Sequence, residues 1–221
     1  MNQFVYIGFI WLGMLSSIPT FFMPENAYGK QHRCIFIILV AVVVVESYGT
    51  YTSLNGIKNA WAYNIVFVYL ETLLFLYFFT LVFKNPKFTG IIRILSVIFI
   101  FWGIINTLFF QEFDLLQSYS FIFGSMLIIG CCTYFFYLLF DDESILKNQS
   151  LKSFPPFWII TFTFFFYACS FLFFASIRLM NESNFGLLGQ ILNLIKVLGV
   201  LMYLVMGLAF YAPLAFKETG K

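Results

Sequence analysis

Long apolar runs alternate along this chain with short polar links. Seven runs reach the roughly 20 residues that a helix needs to cross a bilayer: Phe4–Phe22, Cys34–Leu54, Ala60–Phe83, Ile91–Phe110, Leu115–Phe140, Pro156–Leu179 and Leu187–Phe216. They are continuous and lack strict two-residue alternation, which predicts helices and excludes barrel strands. The links leave no room for a soluble domain. Residues 1–221 are therefore expected to form one domain, an all-α bundle of seven transmembrane helices. Met1-Asn2-Gln3 supplies no lysine or arginine and no small-residue cleavage pattern follows, so the first run reads as a span and not as a signal peptide. Pro19 cannot donate a backbone hydrogen bond, so Ser16-Ser17-Ile18-Pro19 is expected to end, kink or unwind that span.

Composition agrees. The 221 residues are 62% hydrophobic and only 10% charged, against about 25% charged in an ordinary soluble domain. So few charges could not cover the surface in water. A net charge of +2 without a basic cluster argues against nucleic-acid binding. Cys34, Cys131, Cys132 and Cys169 fall within or at the edge of apolar runs, so no disulfide is expected.

Lysine and arginine set the expected orientation. Alternate links hold Lys30, Arg33, Lys84, Lys87, Arg93, Lys147, Lys152, Lys217 and Lys221 on one side, and Lys58 and Arg178 on the other. Nine against two predicts an outside amino terminus and a cytoplasmic carboxyl terminus, in the inner membrane of a bacterium. Trp61 and Tyr63 suit the outer interface and Trp158 the inner one. Pro155-Pro156 suits a helix start. The link Asp141–Pro155, with Asp141-Asp142-Glu143, reads as a docking loop for a signalling partner or as a plain solvated loop. Asn181-Glu182-Ser183 matches a glycosylation acceptor.

Three charged residues stand deep inside the runs. A carboxylate near the middle of the hydrocarbon costs roughly 2.5 kcal/mol or more, which makes such groups candidates for function. At a rise of about 1.5 Å per residue, Glu71 lies at mid-membrane. Glu46 and Lys196 then lie within about 5 Å of that level, towards the outside. Helical spacing extends these positions into stripes: Glu46 with Gly49, Thr50 and Ser53; Glu71 with Asn64; Lys196 with Gln190 and Asn193. Trp102, Asn106 and Tyr167 are the polar candidates of other spans, with Thr163, Ser170 and Ser125. The expected site is an outward-opening polar pocket of Glu46, Glu71, Lys196, Asn64, Asn193, Gln190, Trp102, Asn106 and Tyr167. Two acids and one lysine leave a residual negative charge, so a protonated acid or a bound cation would complete the set. Buried Glu–Lys pairs and amides can also simply hold helices together. Ser120, Gly124, Gly199 and Gly207 are expected to serve close packing.

Other chemistry has little support. His32, the single histidine, is expected in a polar link, and Cys131-Cys132 point about 100° apart on a helix, so no metal site is expected. No cofactor motif, nucleophile elbow, HExxH pair or phosphate-binding glycine loop occurs. A lysine in the last of seven spans invites comparison with microbial rhodopsins. Leu192 stands four residues before Lys196, however, and the third span lacks an arginine-plus-aspartate pattern. The small sugar transporters are set aside because their Pro-Gln motifs are missing.

Val45-Glu46, Tyr63-Asn64 before Glu71, Phe110-Gln111, Phe136-Tyr137 and Pro156-Phe157-Trp158 together resemble small bacterial seven-span membrane proteins of uncharacterised role. The likeness covers about residues 4–212. It implies the seven-span fold and no particular activity, and Lys196 is not among its features. Three functions are expected in turn. The first is a non-enzymatic sensor or accessory subunit that binds a small ligand or ion and works with membrane lipid and a signalling partner. The second is a small proton- or cation-coupled transporter, and the third an intramembrane lipid hydrolase.

Overall fold

A computed structural model describes residues 2–23, 28–141, 150–176 and 185–216. Regular structure among these residues is all helical: α1 Gln3–Ser17, α2 Gly29–Leu54, α3 Ala60–Tyr63, α4 Glu71–Phe83, α5 Pro86–Phe109, α6 Ser118–Asp141, α7 Pro155–Ser176, α8 Phe185–Leu208 and α9 Ala212–Ala215. Between α3 and α4 the chain continues as a π-helix, Asn64–Leu70. Among the described residues seven stretches are long and apolar enough to cross a membrane: Gln3–Phe22, Gly29–Leu54, Ala60–Phe83, Pro86–Phe109, Ser118–Phe140, Pro155–Ser176 and Gly189–Ala215.

The boundaries follow local chemistry. α1 stops at Ser17, and a 3-10 turn, Ile18–Phe22, carries the chain on through Pro19. α5 starts at Pro86, whose missing N–H has no partner at that position anyway. The Asn85 side chain caps it, accepting from the Lys87 N–H at 2.9 Å. α2 begins at Gly29, ahead of the first continuous apolar residue, and so takes in Lys30, Gln31, His32 and Arg33. This corrects the expectation for His32. It is buried in the second turn of α2, with its ring against Phe21 and Phe210. Its Nε2 lies 2.8 Å from Ser17 Oγ and 2.6 Å from Thr20 Oγ1.

The helices form a closed ring in chain order, with α8 packed back on α1. α2 touches α1, α4 and α8 and is the most buried of the seven spans, and α4 beside it touches α2, α5 and α6. Phe75, Phe78 and Phe79 of α4 are wholly buried beside Ile35, Ile38 and Leu39 of α2 and Phe135 of α6. Lipid is as apolar as leucine, so helices associate through packing and close backbone approach. The tightest approach joins α1 to α8. A Cβ on Gly13 would lie 2.7 Å from the Tyr203 carbonyl oxygen, and one on Gly207 would run into the Gly13 carbonyl oxygen. Gly124 packs likewise, with 2.8 Å from an added Cβ to Thr72 Oγ1. All four cysteines are free. Residues 142–149 of the Asp141–Pro155 link and the Asn181-Glu182-Ser183 triplet lie outside the described residues.

Candidate functional site

Glu46 and Glu71 both turn inwards. Glu46 is 9% exposed and Glu71 2%. The hydroxyl of Tyr6, on α1, donates to Glu46 Oε1 at 3.1 Å, and that of Tyr63, at the end of α3, donates to Oε2 at 3.3 Å. The second bond is long for an O–H donor. Tyr63 can reach Glu46 only because α2 has a glycine one turn on: a Cβ at Gly49 would fall on the Tyr63 hydroxyl. Phe67 stacks on the Tyr63 ring at 5.5 Å and holds it in place. Behind Glu46, Thr50 donates to the Glu46 carbonyl at 3.0 Å, and Gln3 of α1 donates to Thr50 Oγ1 at 3.2 Å.

Glu71 opens α4 and accepts from the hydroxyl of Tyr203, on α8, at 2.9 Å. Gly13 sets the height of Tyr203 by admitting α1 against the Tyr203 backbone. The Tyr167 hydroxyl of α7 faces the same carboxyl electrostatically but lacks hydrogen-bond geometry. Its ring meets Phe75 edge-on at 5.6 Å and stacks on Phe121 at 6.2 Å. The two groups adjoin: Tyr6 lies near both Glu46 and Glu71, and Tyr203 lies near Tyr6. The result is one buried cluster of two acids and four tyrosines, drawn from α1, α2, α3, α4, α7 and α8.

Of the residues expected in a shared pocket, the structure brings together Glu46, Glu71 and Tyr167. Lys196 is exposed, although its charge reaches Glu46, and Gln190 and Asn193 are exposed with it. Asn64 does not share a face with Glu71. The π-helix between them bonds i to i+5, which undoes the α-helical rule that residues seven apart align. Asn64 turns instead to the link after α5, donating to the carbonyls of Phe113 and Leu115 at 2.8 Å each and accepting from the Gln117 N–H at 3.0 Å. Asn106 belongs to the same network, donating to Ser120 Oγ at 2.9 Å. Trp102 is half-buried in a separate cleft with Tyr119, Ile122, Phe123 and Met126.

The residues missed from sequence are Tyr6, Tyr63 and Tyr203. A tyrosine in an apolar run has an interfacial or packing reading available, and only helix rotation tells these three apart. The available signal was Gly49, three residues after Glu46, which marks where the Tyr63 ring fits.

Buried acids whose seen polar partners are hydroxyls can hold a proton or a small cation. A charged carboxylate gains from tyrosine donors, and a protonated one can donate its own O–H in a hydrogen bond to a tyrosine oxygen. Further hydroxyls continue from Glu71. Thr163, Tyr167 and Ser170 line one face of α7, and Ser125 lies on α6; all four are buried and make no hydrogen bond. Among the described residues no group of three His, Cys, Asp or Glu could hold a metal ion. Comparisons with protein-family models, curated proteins and solved structures match nothing.

Proposed function

We propose that this is a multi-pass membrane protein that binds a proton or small cation at the Glu46–Glu71 tyrosine cluster. It would act as a sensor or accessory subunit of its membrane. One observation carries the reading: Glu71 is 2% exposed and hydrogen-bonded by a tyrosine hydroxyl donated from the far end of the chain. A carboxyl buried at mid-span is costly, so a purely structural role would be filled at least as well by an apolar pair. The nine-to-two lysine and arginine bias supports an outside amino terminus in the inner membrane of a bacterium. The short links support an output through a partner, for which the Asp141–Pro155 link is the candidate.

A transporter is the second reading. The unpartnered hydroxyls of Thr163, Tyr167 and Ser170 favour it, since they extend a polar path along α7 from Glu71.

Infrared difference spectra of the reconstituted protein, across pH steps and with added sodium or potassium, test the site. A carboxyl band that responds and disappears in Glu71→Gln is the expected result. A spectrum without any responsive carboxyl band would sink both readings. Flux of the responding ion in proteoliposomes, lost in Glu71→Gln, would favour the transporter over the sensor.

A further inference from the structure

At the opposite end of α2 from Glu46 lies a cleft of about 560 Å³ between the start of α2 and the end of α4. The described residues lining it are Gly29, Lys30, Gln31, Arg33, Thr80, Leu81 and Lys84. Three of them are cations and none is an acid. All three cations are exposed, and no carboxylate among the described residues pairs with them.

Other features add to the positive charge. The 26-residue helix α2 also directs the partial positive charge of its N-terminus to this end. Lys84 sits in the left-handed region at φ 50°, a conformation uncommon for a residue with a side chain. It ends α4 there and leaves Lys84 on the wall of the cleft. The Gln31 amide donates to the Leu81 carbonyl at 3.0 Å and ties the two walls together. The orientation bias alone would be met by lysines anywhere in the links on this side. Two lysines and an arginine around one concavity are more than it requires.

We propose that this cleft binds a phosphate-bearing anion, held by Lys30, Arg33 and Lys84. Arg33 offers the planar fork that matches phosphate oxygens, and the lysines act as point charges. Basic pockets between transmembrane helices on the cytoplasmic side suit anionic lipid headgroups. A free phosphate group presents the same chemistry. This site is independent of the acid–tyrosine cluster.

Native mass spectrometry of the full-length protein in mild detergent provides the test. It is offered phosphatidylglycerol and phosphatidylcholine with matched acyl chains and, in a second arm, inorganic phosphate. The expected result is preferential retention of phosphatidylglycerol, reduced about fivefold by Arg33→Gln and about a hundredfold by the triple change Lys30→Gln, Arg33→Gln and Lys84→Gln. Lys58→Gln, near the opposite end of the bundle, should leave it unchanged. If the triple variant does not fold, the three single variants carry the same comparison. Retention of inorganic phosphate without a lipid preference, lost in Arg33→Gln, would assign the site to a free phosphate group. The proposal is overturned if the lipid preference is equal in wild type and variants, or if neither phosphatidylglycerol nor phosphate is retained above phosphatidylcholine.

Discussion

Two polar regions are buried in this apolar bundle, and they differ in how far their hydrogen-bonding capacity is used. Around the link between α5 and α6 the polar groups turned into the bundle are neutral and densely connected, while Glu112 and Asp114 are exposed. Asn64 makes three hydrogen bonds, Gln117 donates to Thr107 at 2.8 Å and accepts from Tyr69, and Gln111 donates to Ser118 at 3.0 Å. Around Glu46 and Glu71 the groups are ionisable and thinly connected. Glu46 accepts two tyrosine bonds, Glu71 accepts one, and the neighbouring Tyr167 hydroxyl has none. An amide network this densely connected, with Asn106 Oδ1 left over, is explained by the fold it holds. An ionisable cluster with capacity to spare is not, and the difference teaches that burial of a polar group is a weaker sign of function than its unspent valence.

The contrast can be broken by substitution. Asn64→Leu should cost most. It leaves two carbonyls and one N–H unpaired at about 1–3 kcal/mol each, reduced because the unfolded chain in a membrane also finds partners. A loss of about 2–4 kcal/mol in detergent denaturation is expected, with the infrared carboxyl response intact. Gly49→Val should cost about 1–3 kcal/mol by overpacking and should disturb the Glu46 band more than the Glu71 band. Equal changes in both would show that the two acids act as one unit. Tyr203→Phe removes one bond to an acid, worth about 1–2 kcal/mol, and should alter the Glu71 band specifically. Glu71→Gln should change stability by less than about 1 kcal/mol yet abolish the response; a large stability loss with the response kept would make the cluster structural. Lys196→Gln, exposed, should change stability by less than about 0.5 kcal/mol. If it abolished the response, the lysine would belong to the site after all.

The seven spans were legible because hydropathy over about 20 residues directly reflects the solvent a helix meets. Pro19 announced the break after α1 for an equally local reason, the missing donor. The inward turn of Glu46 and Glu71 followed from cost. Rotation of the helices was far less legible. A span that is apolar on every side carries little periodic signal, so nothing in the sequence told that Gln190, Asn193 and Lys196 face outwards while Tyr203 faces in. The π-helix Asn64–Leu70 lacks a residue signature and shifts the face of everything beyond it. His32 was misjudged because α2 starts before its apolar run does, and the helix carries the ring into the bundle.

The bond from Tyr203 to Glu71 spans 132 residues of chain. At a synthesis rate of roughly 5–20 residues per second, Glu71 precedes its donor by about 7–26 s. Tyr6 and Tyr203 come from the first and last spans, so a nascent chain cannot hold the whole cluster until α8 has been inserted and has closed against α1. The Glu71 carboxyl therefore gains its Tyr203 partner only when the whole bundle has closed, which ties completion of the cluster to completion of the fold.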